Sequence, residues 1–290
     1  MALGGLLFVA VTVMVRLLGS DMPAVQAAFI RYLIGVVLIL PMLWRMRGRG
    51  FGLGRDRVGL YALRGLVHGG AVLLWFYAMA RIPLAEVTAI GFSTPVFTAV
   101  GAILIFHESV KWRRMLAIGA GFIGTLLILR PGFQEISAGS LAQLTAAFLF
   151  AGSFLLAKRL TQRESSEDIL VMLSIFCTLA LLPGALYVWQ TPSWSDIGWL
   201  AGVAVFATAG HYTITRAIAE APLTVTQPLS FLQLVWAILI GYWMFDEVPD
   251  SWVIGGALVI VGAVSYLTHR EARAARLQRL RNETQPASPG

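Results

Sequence analysis

Ala78-Met79-Ala80-Arg81-Ile82-Pro83-Leu84 and Ala217-Ile218-Ala219-Glu220-Ala221-Pro222-Leu223 are two versions of one segment, and what flanks them decides the fold. At the same interval beyond each copy stands Phe106-His107-Glu108 in the first case and Phe245-Asp246-Glu247 in the second. Gly124 and Gly262 then correspond with a slip of one residue. Between these markers run apolar stretches of about 20 residues, the length a helix needs to cross a bilayer core. The chain thus divides into related halves, 1–131 and 137–268, followed by a basic tail at 269–290.

Apolar runs between Arg, Pro and Gly punctuation place spans at 2–18, 24–43, 58–79, 84–106, 112–129, 139–157, 169–189, 196–215, 223–245 and 251–268. The expected fold is therefore all-α and membrane-embedded, with ten transmembrane helices arranged as two inverted five-helix repeats. An odd number of spans per half forces the second half to enter from the opposite side, and the charges agree. Arg45, Arg47, Arg49, Arg55 and Arg57 follow span 2, whereas the corresponding loop after span 7 has no Lys or Arg. Lys111, Arg113 and Arg114 follow span 4, where the second half has Asp246, Glu247 and Asp250. With Lys158, Arg159 and Arg163 after span 6 and five arginines from Arg270 to Arg281, the positive-inside rule places both termini in the cytoplasm of an inner or plasma membrane.

Composition supports this. Of 290 residues, 58% are hydrophobic and 13% charged, leaving no room for a separate soluble domain. The net charge of +7 lies in loops and tail as a topology signal, so no nucleic-acid partner is expected and the bilayer is the partner. Cys177 is the only cysteine and reads as a small buried hydrophobe, without disulfide or metal. The first apolar run lacks a basic n-region and reads as a span, not a signal peptide. At about 1.5 Å per residue it barely crosses a bilayer core, which raises the expectation of a start a few residues upstream.

Inverted repeats suit alternating access, in which two pseudo-symmetric halves open a midplane site to each side in turn. The segment Ile82-Pro83-Leu84-Ala85-Glu86-Val87-Thr88-Ala89, continuing through Ser93-Thr94-Pro95 and Phe106-His107-Glu108 to Trp112-Arg113-Arg114, resembles the EamA-type drug/metabolite transporter superfamily. Arg31, Leu129-Arg130-Pro131-Gly132, Gly210-His211-Tyr212 and Phe245-Asp246-Glu247 match it too. The resemblance covers essentially the whole chain and is most similar to the riboflavin and S-adenosylmethionine-like carriers. It implies a carrier of a small organic metabolite and leaves cargo and direction open.

Several motifs resolve into packing. Gly119-Ala120-Gly121-Phe122-Ile123-Gly124 spells a dinucleotide fingerprint but sits within an apolar span, where small residues allow close helix contact. Gly65 with Gly69, and Gly255, Gly256 and Gly262, read the same way. His107-Glu108 fails to complete a zinc-hydrolase motif because Lys111 occupies the second His position. Glu108 and Glu247 are expected to cap the helices or connections that follow. No nucleophile elbow or phosphate-binding loop is present, so no cofactor is expected and an embedded enzyme is the weaker alternative. A facilitative channel or structural membrane protein stays open.

Arg31 is the most informative residue, because a charge two turns inside a span must find a partner or a wet cavity. The alternatives are pairing with Glu86 or backbone carbonyls, and contact with an anionic substrate group. Polar stripes at helical spacing mark other candidates: Thr208, His211 and Thr215 in span 8; Thr226, Ser230 and Gln233, with Gln227 beside them, in span 9; and Thr88, Gly91 and Pro95 in span 4. The expected substrate-binding set is Arg31, Trp75, Thr88, Ser93, His211, Tyr212, Gln227, Ser230, Gln233 and Trp236. His68 reads as structural, and Trp44, Trp189 and Trp194 as interface anchors. Pro95 and Pro228 each remove a backbone hydrogen bond and are the expected gating kinks. A coupling ion is left open, with Glu86 and His211 the titrating candidates.

Overall fold

The structure is a computed structural model that describes residues 2–19, 21–47, 55–106, 112–130, 135–160, 164–220, 232–248 and 250–284. Among the described residues there are helices and no strands. They are α1 (Ala2–Leu18), α2 (Ala24–Leu38), α3 (Leu40–Arg47), α4 (Arg55–Met79), α5 (Leu84–Gly91), α6 (Ser93–Phe106), α7 (Trp112–Leu129), α8 (Ala138–Leu160), α9 (Ser166–Tyr187), α10 (Trp194–Glu220), α11 (Leu232–Phe245) and α12 (Ser251–Thr284). Three described stretches, Arg57–Met79, Ala138–Leu160 and Glu167–Tyr187, are long and apolar enough to cross a membrane. Shorter apolar helices occupy Leu3–Leu18, Ala24–Leu38, Gly119–Leu129, Trp236–Phe245 and Ser251–Ala263.

Two expected spans are broken. The run 24–43 divides at Ile39, two residues before Pro41, into α2 and α3. The run 84–106 divides at Phe92, just before Pro95, into α5 and α6. Proline lacks the N–H that would bond four residues back, and its ring crowds that same carbonyl, so each helix closes ahead of the proline. A third departure concerns the tail, which continues the last helix without a break as far as Thr284.

Helix ends follow local chemistry. Ser165 caps α9 by accepting from the Asp168 N–H at 3.1 Å. Ser193 and Asp196 form a reciprocal capping box at the start of α10, at 3.1 and 2.9 Å. At the end of α11, Asp246 adopts a left-handed backbone conformation with φ 52°, and the Glu247 N–H reaches back to the Gly241 carbonyl at 3.0 Å.

α4 packs along α8 and α9, α1 along α10, and α7 along α12; α2 contacts α9 and α10, while α11 contacts α5 and α1. Small residues permit the closest approaches. A Cβ on Gly124 would stand 2.7 Å from the Gly256 carbonyl oxygen, and one on Gly256 would stand 2.6 Å from that of Gly124. Gly121, Gly124 and Gly256 thus serve close helix packing, whereas Gly119, Gly255 and Gly262 face open space. A Cβ on Gly65 would likewise collide with the Phe176 Cβ. The buried core joins Phe29, Phe76, Ile90, Leu173, Leu200 and Ile260 from both halves of the chain. Large side chains such as Leu33, Leu66, Phe148, Phe154 and Leu179 point outward and are exposed, as lipid-facing residues would be.

A candidate substrate cavity

Where α5 gives way to α6, the interrupted backbone at Gly91 and Phe92 forms one wall of a cavity of about 170 Å³. Thr12 of α1, Thr88 of α5, Thr94 of α6, Gln143 of α8 and Gln233 of α11 supply its polar groups, and Trp75, Phe92 and Phe150 its aromatic faces. Thr12 and Thr88 bond back to the Phe8 and Leu84 carbonyls at 2.8 and 2.9 Å, so their hydroxyl lone pairs still face outward. Gln143 is 2% exposed, and its Oε1 has no partner among the described residues. A buried amide oxygen left unmade costs about 1–3 kcal/mol, so it is an acceptor waiting for a donor. Gly91 leaves it room, since a Cβ there would come within 3.2 Å of the Gln143 Nε2. A wider concavity beside Leu40, Pro41, Leu43 and Trp44 has almost no polar surface and lies on the outer edge of α3.

Beside this cavity lies a layer of aromatic and basic groups. The Phe150 ring, part of the cavity wall, meets the His68 ring edge-on at 5.1 Å, and His68 shares a 3.0 Å hydrogen bond with the Ser153 hydroxyl. His211 lies 6.5 Å from His68 and 5.0 Å from Phe8. Arg31 stacks over Tyr32 at 4.1 Å, and Arg64 Nη1 donates to the Ile169 carbonyl at 3.3 Å while its Nε has no partner among the described residues. Cys177 packs here fully buried, its thiol donating to the Gly65 carbonyl.

One end of the molecule is drawn shut. Arg16 of α1 donates to the Met79 and Ile82 carbonyls at 2.7 and 2.9 Å and pairs with Glu247 at 2.6 Å. The other Glu247 oxygen accepts from the Leu84 N–H at 2.8 Å, capping α5. Glu247 thus caps a helix of the other half, while Asp250 caps its own α12 through the Trp252 N–H at 2.9 Å. Glu86 accepts from the Ser140 hydroxyl at 2.6 Å, Gln26 exchanges two hydrogen bonds with the Gln190 backbone, and Arg130 pairs with Asp250. That Trp252 N–H, with the Arg130 guanidinium, holds the Asp250 carboxyl below the usual carboxylate range.

The expected site residues are distributed over these regions. Trp75, Thr88 and Gln233 line the cavity. His211 and Arg31 lie in the adjoining basic layer, and Arg31 stacks on Tyr32 while Glu86, its expected partner, is held by Ser140. Ser93 is 1% exposed and bonded to the Thr125 hydroxyl of α7 at 2.8 Å, away from the cavity lining. Tyr212 and Trp236 are largely exposed. Pro95 stands in the first turn of α6, whereas Gln227, Pro228 and Ser230, like His107 and Glu108, lie outside the described residues. Sequence reasoning missed Gln143, a lone amide in an apolar run, and Arg16, a lone cation near a span end; both signals were present in the sequence.

An all-helical molecule with outward-facing apolar side chains and a polar cavity at a broken helix has the build of a membrane carrier. The chain belongs to the EamA-like transporter family, whose model matches residues 1–130 and again 137–268. It is similar to the S-adenosylmethionine uptake transporter of Rickettsia prowazekii, 27% identical over 265 residues that cover 90% of this chain and 88% of the relative. The riboflavin transporter of Vibrio cholerae serotype O1 is 30% identical over 261 residues, 89% of this chain and 87% of the relative. The pseudopaline exporter CntI of Pseudomonas aeruginosa is 25% identical over 273 residues, covering 89% and 91%. A solved crystal structure at 18% identity covers 92% of this chain and 98% of its own, with a TM-score of 0.58, a likeness of fold alone. The protein is a multi-pass membrane transporter.

Proposed function

We propose that the protein is a secondary carrier that moves a small organic metabolite across the inner or plasma membrane by alternating access between two inverted five-span halves. The observation that carries this is the relation of the cavity to the halves. Its wall draws on α1, α4, α5 and α6 from residues 1–131 and on α8 and α11 from 137–268. The links Arg16–Glu247, Glu247–Leu84, Glu86–Ser140, Gln26–Gln190 and Arg130–Asp250 at the shut end also cross between them. Relative movement of the halves would open that end without unfolding either.

The packing supports the inverted repeat. With α2 and α3 as the second span and α5 and α6 as the fourth, the contact of α4 with α8 has its counterpart in α10 with α1, and that of α4 with α9 in α10 with α2. The pairs α2–α9, α5–α11 and α7–α12 join each span to its own counterpart. These are the pairings a twofold axis in the membrane plane produces. Basic loops put both termini in the cytoplasm and the shut end outside.

Relatives are named for S-adenosylmethionine, riboflavin and pseudopaline. Trp75, Phe92 and Phe150 beside Gln143 and Gln233 suit a flat molecule with hydrogen-bonding edges. With no catalytic set in the sequence, the chain moves its cargo unchanged. Reconstituted into proteoliposomes, it is expected to show saturable counterflow of at least one labelled compound from a panel of flavins, S-adenosylmethionine, amino acids and nucleotide sugars. Counterflow of none sinks the carrier.

A further inference from the structure

Arg31 and Arg64 are each only 7% exposed, and neither is paired with a carboxylate among the described residues. The described ion pairs involve Glu164, Glu247 and Asp250, which engage Arg57, Arg16 and Arg130 instead. Both buried arginines lie within electrostatic reach of the imidazoles of His68 and His211. Tyr32, on which Arg31 stacks, is a phenol and carries no charge at neutral pH to balance it. Two guanidinium charges therefore share one buried layer without a countercharge. An unpaired charge at membrane depth is costly and marks a pathway or binding site.

The Arg64 Nε is a donor with no acceptor among the described residues, and the Arg31 guanidinium is stacked on Tyr32 with no described carboxylate at its edge. Planar guanidinium forks match carboxylate and phosphate oxygens. This layer adjoins the cavity, since Phe150 packs against both, and Thr12 in the cavity wall bonds to the backbone of Phe8, which stacks on His211.

We propose that Arg31 and Arg64, flanked by His68 and His211, form an oxyanion subsite of the transport cavity, so that the cargo is an organic anion or zwitterion. Its carboxylate or phosphate docks between the guanidinium groups while its planar portion lies among Trp75, Phe92 and Phe150. This rests on the carrier reading above and adds to it the chemical class of the cargo. Together the arginines supply the countercharge that lets an anion leave water, and the cargo supplies the countercharge the arginines lack.

The test compares paired probes differing only in the anionic group, with full-length protein in proteoliposomes: S-adenosylmethionine against its decarboxylated analogue, and flavin mononucleotide against riboflavin. The anionic member of at least one pair is expected to compete for counterflow about tenfold better, the scale of one charge-assisted hydrogen bond. Which pair shows it separates carboxylate from phosphate. Arg31→Gln and Arg64→Gln are each expected to collapse that ratio towards one, with Arg31→Lys retaining part of it. Because a variant can fail to fold, the same pairs are also compared by thermal shift of the wild-type protein, where the anionic member is expected to stabilise more. Equal use of both members of both pairs overturns the oxyanion subsite and leaves the carrier standing. A preference that survives both Gln substitutions removes these residues from it. Counterflow of no probe, with no thermal shift, overturns the subsite, and the carrier falls with it when the wider panel above is also unused.

Discussion

At the end where α1, α4 and α11 stop, arginines meet carboxylates and carbonyls: Arg16 has three acceptors, and Arg130 has Asp250. Deeper, where burial makes an unpaired charge far more expensive, Arg31 and Arg64 have no carboxylate among the described residues. Stability alone would favour the reverse, with pairing inside and solvation outside. The arrangement makes sense if the outer charges hold the two halves together and the inner ones are kept for a visitor. The first set is complete without cargo; the second is not.

The largest effect follows from removing the group that joins most partners. Glu247→Ala takes from Arg16 its carboxylate, leaving it the Met79 and Ile82 carbonyls, and uncaps α5 in one step; a charge-assisted hydrogen bond is worth about 1.5–3 kcal/mol, and water offsets part of the combined loss. We expect the shut end to open about ten- to hundredfold more often. A cysteine placed at Thr12 in a Cys177→Ala background would then label correspondingly faster with a membrane-impermeant thiol reagent. Labelling at the wild-type rate would mean that Glu247 does not hold this end shut.

Gln143→Leu sharpens the contrast from inside. If the unpartnered Oε1 serves cargo, the change removes a buried unsatisfied acceptor, so the melting temperature holds or rises while KM rises about tenfold. A structural amide gives the opposite split, with a lower melting temperature and an unchanged KM.

These two regions were unequally legible in the sequence. The apolar runs located most of the described helices, although the runs 24–43 and 84–106 are each two helices and three described stretches have the length and apolarity to cross a bilayer. The shared Ala-x-Ala-x-x-Pro-Leu segment supplied the pairing of the halves used in the proposed function. Pro95 marked the break that shapes the cavity wall, although the helix stops at Phe92 because the missing N–H and the ring act upstream of the proline. What the sequence hid was partnership. Glu247 is expected from the sequence to cap the helix or connection that follows it, yet it lies 163 residues from the amide it caps. Glu86 was one of the partners open to Arg31, beside backbone carbonyls and a substrate anion, and it instead accepts from Ser140 of the other half. Such contacts depend on how the halves dock, and periodicity within a helix carries no record of docking.

A smaller effect is expected at Gln26, which is fully buried and holds the Gln190 backbone at 2.6 and 2.9 Å. Gln26→Ala breaks both bonds, but Gln190 itself is exposed and water can replace them on that side. The net loss should be about 1 kcal/mol, or roughly a fivefold rise in the labelling rate described above. A hundredfold rise would place the main latch here instead of at Glu247.

The smallest effect belongs to the pair Arg130–Asp250, the most exposed of the links between the halves, at 26% and 39%. Exposed ion pairs contribute about 0–1 kcal/mol and weaken with salt, so Arg130→Ala should change labelling less than about fivefold, and less still at high ionic strength. The sign of its pH dependence is fixed by the lowered carboxyl. Folding depresses the Asp250 pKa, so its contribution is present above the unfolded carboxylate value of about 3.9 and fades as pH falls through the lower, folded value. Melting temperature should therefore show no Asp250-dependent change between neutral pH and about pH 5, and lose a small increment only in stronger acid. Asp250→Asn deletes that acid limb while its side-chain oxygen can still cap Trp252. Because the Trp252 amide is the largest single cause of the lowering, with Arg130 adding its charge and a hydrogen bond, Arg130→Ala should leave part of the limb in place. If Arg130→Ala abolished it entirely, the ion pair would be the main anchor of Asp250, and the shut end would rest more on surface charge than on the buried cap at Leu84.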